Sequence, residues 1–219
     1  MTRFSFSLLA IALVCFTFSC ETNERIVGSS NITTEIRDVT GFTGVEVASA
    51  LDVNITSGSE FNITVRANDN VQERVLVRRS GNVLEVRLSQ GNYREIDVTV
   101  DVVMPDLESI KVSGASDVAV AGFATLDNLS VDLSGASDLD FETAAVAELF
   151  ASVSGASTAS LFSLTATEAD VNVSGASTLN LRATDLISGS VSGASTLRFR
   201  GTPDITANAS GASSIEDAN

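Results

Sequence analysis

The sequence predicts an all-β fold, a right-handed parallel β-helix or solenoid with coils of about 18–21 residues. Three observations carry that prediction. The tetrapeptide Ser-Gly-Ala-Ser occurs six times, beginning at Ser113, Ser134, Ser154, Ser174, Ser192 and Ser210, so successive copies lie 21, 20, 20, 18 and 18 residues apart. Apolar residues hold fixed offsets from each copy. Ile110 and Val112 precede the first and Val118 and Val120 follow it; Val171 and Val173 precede the fourth and Leu179 and Leu181 follow it. The alternation has period two, with Val, Thr and Ser abundant and Gly recurring mid-segment, which suits strands and not a helical solenoid. Repetition of this kind makes each period one structural unit stacked on the next. An antiparallel sandwich is the competing architecture, but it does not require identical tetrapeptides at near-constant spacing.

Residues 1–20 read as a leader. Arg3 precedes an apolar run from Phe4 to Phe18, of signal-peptide length and short for a spanning helix. Ser19-Cys20 then resembles a lipoprotein processing site, with Cys20 as the lipidated first residue of the exported chain. Thr17 stands where such sites usually carry Leu, and an ordinary secretory signal with an incidental Cys20 is the alternative. Acylation at Cys20 would supply the membrane affinity by itself. The expected location is the cell envelope, with the chain anchored to the outer membrane or surface. Residues 21–37 are polar with Gly and Ser and read as a flexible tether. The fold proper is expected over 38–219.

The first half of that fold alternates without the tetrapeptide. Ala48-Ser49-Ala50-Leu51 has Val45 and Val47 before it and Val53 and Ile55 after it, at the offsets of the later copies, and is a degenerate copy. Strands are predicted around 61–65, 75–77, 83–88 and 96–100, separated by Ser80-Gly81-Asn82 and Gln90-Gly91-Asn92. Arg78 to Asn82 suits a hairpin. Pro105-Asp106-Leu107 interrupts the pattern and leads into the uniform coils.

In the middle coils further apolar positions recur five and eight residues before the motif, as at Leu129 and Leu126. Three short strands per coil follow, with a rise of ~4.8 Å and roughly eight or nine coils in all. Gly114, Gly135, Gly155, Gly175, Gly193 and Gly211 would then stack at one corner, where Gly permits a backbone angle or a close approach that other residues resist.

Composition excludes several chemistries. With 28 acidic and 13 basic residues the net charge is −15, which disfavours nucleic acid and anionic lipid as partners. The chain has no His, and both cysteines, Cys15 and Cys20, lie in the leader, so a catalytic imidazole, a His-ligated metal and a disulfide in the folded part are excluded. The repeated serines lack a base and a nucleophile elbow. Asp117 and Asp138, which follow successive motifs, could share a calcium ion. Thr158, Thr178 and Thr196 form a threonine row that would suit ice or a flat carbohydrate. Arg74, Arg78 and Arg79 read first as outward strand residues paired with acidic neighbours, with an anion-binding patch as the lesser alternative. No catalytic, cofactor-binding or metal-binding residue is assigned.

The chain resembles the putative auto-transporter adhesin head GIN domain family, a bacterial domain of unknown function common in Bacteroidetes-type lipoproteins. The residues that carry the resemblance are Phe42-Thr43-Gly44-Val45-Glu46-Val47, Asp52-Val53-Asn54-Ile55, Ile96-Asp97-Val98-Thr99-Val100 and Pro105-x-Leu107-x-x-Ile110-x-Val112-Ser113-Gly114-Ala115-Ser116, with the later coils, over about 38–215. The resemblance implies a β-helix at the cell envelope acting as an adhesin, with no catalytic residues. The expected function is binding through an extended polar face, with carbohydrate or a surface protein as partner. A polysaccharide-acting enzyme and a non-binding envelope spacer are the alternatives.

Overall fold

The computed structural model describes residues 25–219. The leader, Cys20 and the first part of the expected tether therefore lie outside the described residues. Among the described residues the only helical element is one 3-10 turn, Gln72–Arg74, and the rest is strand and turn.

Period-two alternation becomes an inside and an outside. In the strand Val98–Met104, for example, Val98, Val100, Val102 and Met104 are buried while Thr99, Asp101 and Val103 face outward. Each coil pairs with the next through parallel, in-register strands on both sides of the Ser-Gly-Ala-Ser corner. Before the corner, Gly44–Val47 pairs with Ser109–Val112, which pairs with 130–133, and these with 150–153, 170–173 and 188–191. After the corner, Asp52–Ser57 pairs with Asp117–Ala121, and the column continues through Asp138–Phe141, 158–161, 178–182, Thr196–Arg200 and Ser214–Asp217. Parallel strands packed on an apolar interior are the all-β solenoid that the repeat predicts. Five uninterrupted turns run from Ser113 to Ser210.

The lower end departs from simple order. Val83–Leu88 pairs in parallel with Gly44–Val47, and Val98–Met104 with Asp52–Ser57, each on the side away from the later coils. The chain thus lays down its second coil beneath its first, then passes Pro105 to Glu108 and starts the third coil above the first. Glu108 N donates to Thr43 O at 2.7 Å where this passage crosses.

Antiparallel strands close the lower end. Val75–Ser80 pairs with Val83–Leu88 through the two-residue turn Gly81-Asn82. Asn62–Asn68 pairs antiparallel with Val98–Met104, and Ile32–Arg37 pairs antiparallel with Asn62–Asn68. Open strand edges invite association, and covering them is the usual remedy.

The expected tether over 21–37 is corrected by this arrangement. From Arg25 onward it is structured: Arg25–Val27 pairs with Asn92–Arg94, and Ile32–Arg37 is the outer strand of the cap. The run Ile32-Thr33-Thr34-Glu35-Ile36 is rich in β-branched residues, and the free edge of Asn62–Asn68 gives it a partner. The loop Asn68-Asp69-Asn70 holds the intervening turn. Asn68 Nδ2 donates to Ser29 O at 2.6 Å, Asn70 Nδ2 to Val27 O at 2.8 Å and Asn31 Nδ2 to Asp69 Oδ2 at 2.9 Å. Ser29 and Asn31 together pull the Asp69 carboxyl below its ordinary pKa.

The shortening of the period from 20 to 18 has a place in the structure. Leu161 pairs with Leu181 but Thr165 pairs with Arg182, so the upper coil omits three residues at that corner; between Ala166 and Glu168 it regains one. Buried alanines (Ala144, Ala151, Ala159, Ala166, Ala169, Ala183) gather in this upper half, while Phe42, Ile55, Met104 and Leu107 fill the lower half. Of these alanines only Ala183 lies in a shortened coil, opposite Ala166, and Leu179, Leu181, Ile187 and Val191 fill the rest of that coil's interior.

Candidate functional site

The Ser-Gly-Ala-Ser corner is built by backbone. Gly114, Gly135, Gly155, Gly175, Gly193 and Gly211 lie one above another with φ between +76° and +88°. The Ala N–H of each copy after the first donates to the Gly carbonyl below at 2.8 Å, as in Ala156 to Gly135 and Ala176 to Gly155. A Cβ on Gly155 would stand 2.3 Å from Gly135 O, so close stacking and positive φ both require glycine there. The last Ser of the motif turns inward. Ser116, Ser137, Ser157, Ser177 and Ser195 are buried, and Ser116 Oγ and Ser137 Oγ donate to the Ser113 and Ser134 carbonyls at 3.1 and 3.0 Å. Ser116 and Ser137 are thus satisfied by their own turns, Ser177 Oγ has no hydrogen-bond partner, and burial denies all five the exposure that a nucleophile needs.

The limb after the corner presents two outward columns. Asp52, Asp117 and Asp138 are in register and line, with Asn54 and Asp140, a shallow groove of about 350 Å³ that opens over the small Ala119. Partial burial and the neighbouring Asp138, Asp52 and Asp140 charges raise the Asp117 pKa. Among the described residues no group of three or more His, Cys, Asp or Glu is arranged to hold a metal ion. Higher up, the same column becomes Thr158, Thr178 and Thr196, stacked in register and half-buried, and ends at Ser214.

The limb before the corner carries a flat polar side interrupted by one aromatic. Phe150 is 46% exposed. On one flank lies a groove of about 270 Å³ with Ser130, Asp132, Ser152, Asp170 and Asn172; on the other lies one of about 200 Å³ with Glu148, Glu168 and Ser188. Phe150 occupies an outward position of the period-two pattern, so a rule that places every apolar residue inside misses it. The signal was legible as an aromatic out of phase with Leu149 and Ala151.

The arginines do not gather into one anion patch. Arg78 pairs with Glu85 at 2.6 Å and depresses its pKa, and Arg79 Nη1 donates to the Thr40 and Gly41 carbonyls at 3.2 and 2.9 Å. A larger groove, of about 750 Å³, lies beneath the degenerate corner, lined by Ser49, Ala50 and residues 87–96. The loop Ser89 to Ile96 forms its far wall and is held out by the pairing of Asn92–Arg94 with Arg25–Val27 and by Gly28 N donating to Arg94 O at 3.1 Å.

Comparison with known proteins agrees with this architecture. The model of the family described as "Putative auto-transporter adhesin, head GIN domain" matches residues 41–216. Among solved structures, a putative adhesin from Bacteroides fragilis NCTC 9343 is similar with a TM-score of 0.75 at 18% identity, covering 88% of this chain and 99% of that one. A putative adhesin from Parabacteroides merdae ATCC 43184 follows with a TM-score of 0.59 at 15% identity, over 89% of this chain and 99% of that one. A putative lipid binding protein from Parabacteroides distasonis ATCC 8503 has a TM-score of 0.57 at 13% identity, over 90% and 100%. At these identities the likeness is one of fold. No curated protein matches the chain.

Proposed function

The chain belongs to the family of auto-transporter adhesin head GIN domains, and from that premise we propose that it is an envelope-anchored binding module that engages a surface polymer along its flat polar side. The observation that carries this reading is Phe150, an exposed ring flanked by Ser, Asn, Asp and Glu side chains. Sugar rings present C–H faces that pack on aromatic rings, while their hydroxyls bond to carboxylates and amides. Asp132, Asp170 and Asn172 stand beside the ring for that purpose. Stacking along the rod sets a polar residue at the same outward place in successive coils, as in the column Asp132, Ser152, Asn172 and Ser190, which suits an extended polymer. The reading assigns no catalytic step to any residue.

The test is a glycan and matrix-protein binding array with the purified protein and its Phe150→Ala variant. Capture of a carbohydrate by the native protein, weakened about tenfold or more in the variant, is the expected result. Equal capture by both removes the polar side from the account. Turnover of a bound polysaccharide would make the protein an enzyme, and binding to nothing on the array would favour a spacer. Anchoring through Cys20 belongs to the same proposal. Cells fed labelled palmitate should label the native chain and not Cys20→Ala; label on the variant would sink the anchor.

A further inference from the structure

The three non-glycine residues with positive φ among the described residues are Ser49 (81°), Ala50 (58°) and Glu95 (50°). All three line the same groove at the lower end of the rod. Such angles are strained for any residue with a Cβ, and strain retained in one place marks binding sites more often than it marks scaffold.

The reason that Ser49 is tolerated is geometric. In the regular coils a Cβ at this corner position meets the carbonyl of the corner below, 2.3 Å away at both Gly135 and Gly155. Below Ser49 no such corner exists. The chain leaves the stack after Leu88 and returns at Val98, and the space between is the groove. The φ of 81° matches the glycine corners above, so the turn still demands a left-handed residue there. Glycine would meet that demand without strain, yet a side chain bearing a hydroxyl is placed at the groove.

We propose that this groove binds an acidic sugar, a pyranose ring carrying a single carboxylate. Arg87 and Arg94 both line it, and among the described residues neither lies within ion-pair distance of a carboxylate, although the Arg87 charge adds to that of Arg78 in lowering the Glu85 pKa. A guanidinium matches a carboxylate with two parallel hydrogen bonds. Tyr93 is half-buried, with its hydroxyl 2.9 Å from Ser89 Oγ and donating to Ser89 O at 2.9 Å, so its ring is fixed in the wall. Gln90, Asn92 and the Ser49 hydroxyl supply donors and acceptors for sugar hydroxyls. The volume of about 750 Å³ lies in the range of small-ligand sites. Glu95 in the same wall, on a chain of net charge −15, disfavours a dianionic phosphate more than a monoanionic carboxylate. The groove shares no lining residue with the surroundings of Phe150, so it goes beyond the polymer-binding side and is tested apart from it.

Titration calorimetry on the purified protein should use a glucuronic acid-terminated disaccharide and N-acetylneuraminic acid as probes, with a glucose-terminated disaccharide and glucose 6-phosphate as controls. Binding of an acidic sugar is expected, with both controls at least about tenfold weaker. Arg87→Gln and Arg94→Gln should each weaken it by about tenfold or more with an unchanged melting temperature, because both side chains serve the ligand and not the fold. Ser49→Gly should raise the melting temperature of the free protein while weakening the acidic sugar. The proposal is overturned if neither acidic sugar binds at millimolar concentration, if a control binds as well, or if both arginine variants bind like the native protein. Phe150→Ala should bind the acidic probes normally; loss there would also overturn the groove as their site.

Discussion

At the scale of single residues, the corner glycines and the stacked aspartates make opposite predictions about stability. Gly155→Val places a Cβ against the Gly135 carbonyl and forces a β-branched residue to a φ of 80°. The left-handed angle alone costs about 1–2 kcal/mol, and the backbone collision adds to it, so a loss of at least about 3 kcal/mol is expected. Thermal unfolding should show it as a fall of roughly 6–12 °C, and an unchanged melting temperature would remove the tight corner from the account. Asp117 should behave the other way. Its pKa is raised by partial burial and by Asp138, Asp52 and Asp140, so the folded state holds the proton more tightly than the unfolded state does. Stability contributed at this site is therefore lowest above the raised pKa and increases as pH falls through it toward the ordinary carboxylate range. Asp117→Asn should raise the melting temperature at neutral pH by about 1–3 °C, with the gain shrinking on acidification. A gain independent of pH would place the cause elsewhere than in charge repulsion.

At the scale of elements, the corners and coils were legible in the sequence because stacking repeats the same demand at every level. Gly114 through Gly211 and the paired apolar offsets advertise one another. The cap was less legible, since its strands pair antiparallel and each occurs once. The strand Ile32–Arg37 reads as a polar tether because a half-exposed edge strand needs few apolar residues, and its partner Asn62–Asn68 lies thirty residues away in sequence. Asn68 is the hinge of that region. It is 4% exposed, donates to Ser29 O and accepts from Asp97 N at 2.7 Å. Asn68→Ala removes the partners of the half-buried Ser29 carbonyl and of the Asp97 amide, a loss of about 0.5–1.5 kcal/mol for each hydrogen bond. Hydrogen exchange should then quicken at residues 25–37 while the coils above Ser113 keep their protection. Uniform quickening along the rod would mean that the N-terminal segment is not a separable unit. The groove at this end was missed for the same reason as the cap. Ser49-Ala50 reads as a worn copy of the motif until the missing corner beneath it is seen.

At the scale of the whole molecule, the order in which the coils are laid down separates the two ends. From Ser113 upward each coil pairs its backbone only with the one before and the one after, so stability there is close to a sum of near-neighbour terms, with a side-chain contact that skips a coil, Arg200 stacked 4.2 Å over the Phe162 ring. The uppermost strand, Ser214–Asp217, is short and is tied to the coil below by the Arg198–Glu216 ion pair. Deleting residues 207–219 should therefore remove one interface and leave a folded, somewhat less stable rod. The lower end obeys a different rule. The coil Val83–Leu88 to Val98–Met104 lies under residues that precede it in sequence, and both antiparallel caps hang from it. Deleting residues 75–104, more than twice as long, strips Gly44–Val47 and Asp52–Ser57 of a neighbour and leaves Asn62–Asn68 without its place in the sheet. That protein should fail to fold cooperatively, whereas the upper truncation should still show a single sharp thermal transition. If the two truncations behave alike, the inserted coil is an appendage; if they differ as expected, it is the foundation on which the later coils stack, and the groove beneath Ser49 is the space left where that foundation lacks the repeated corner.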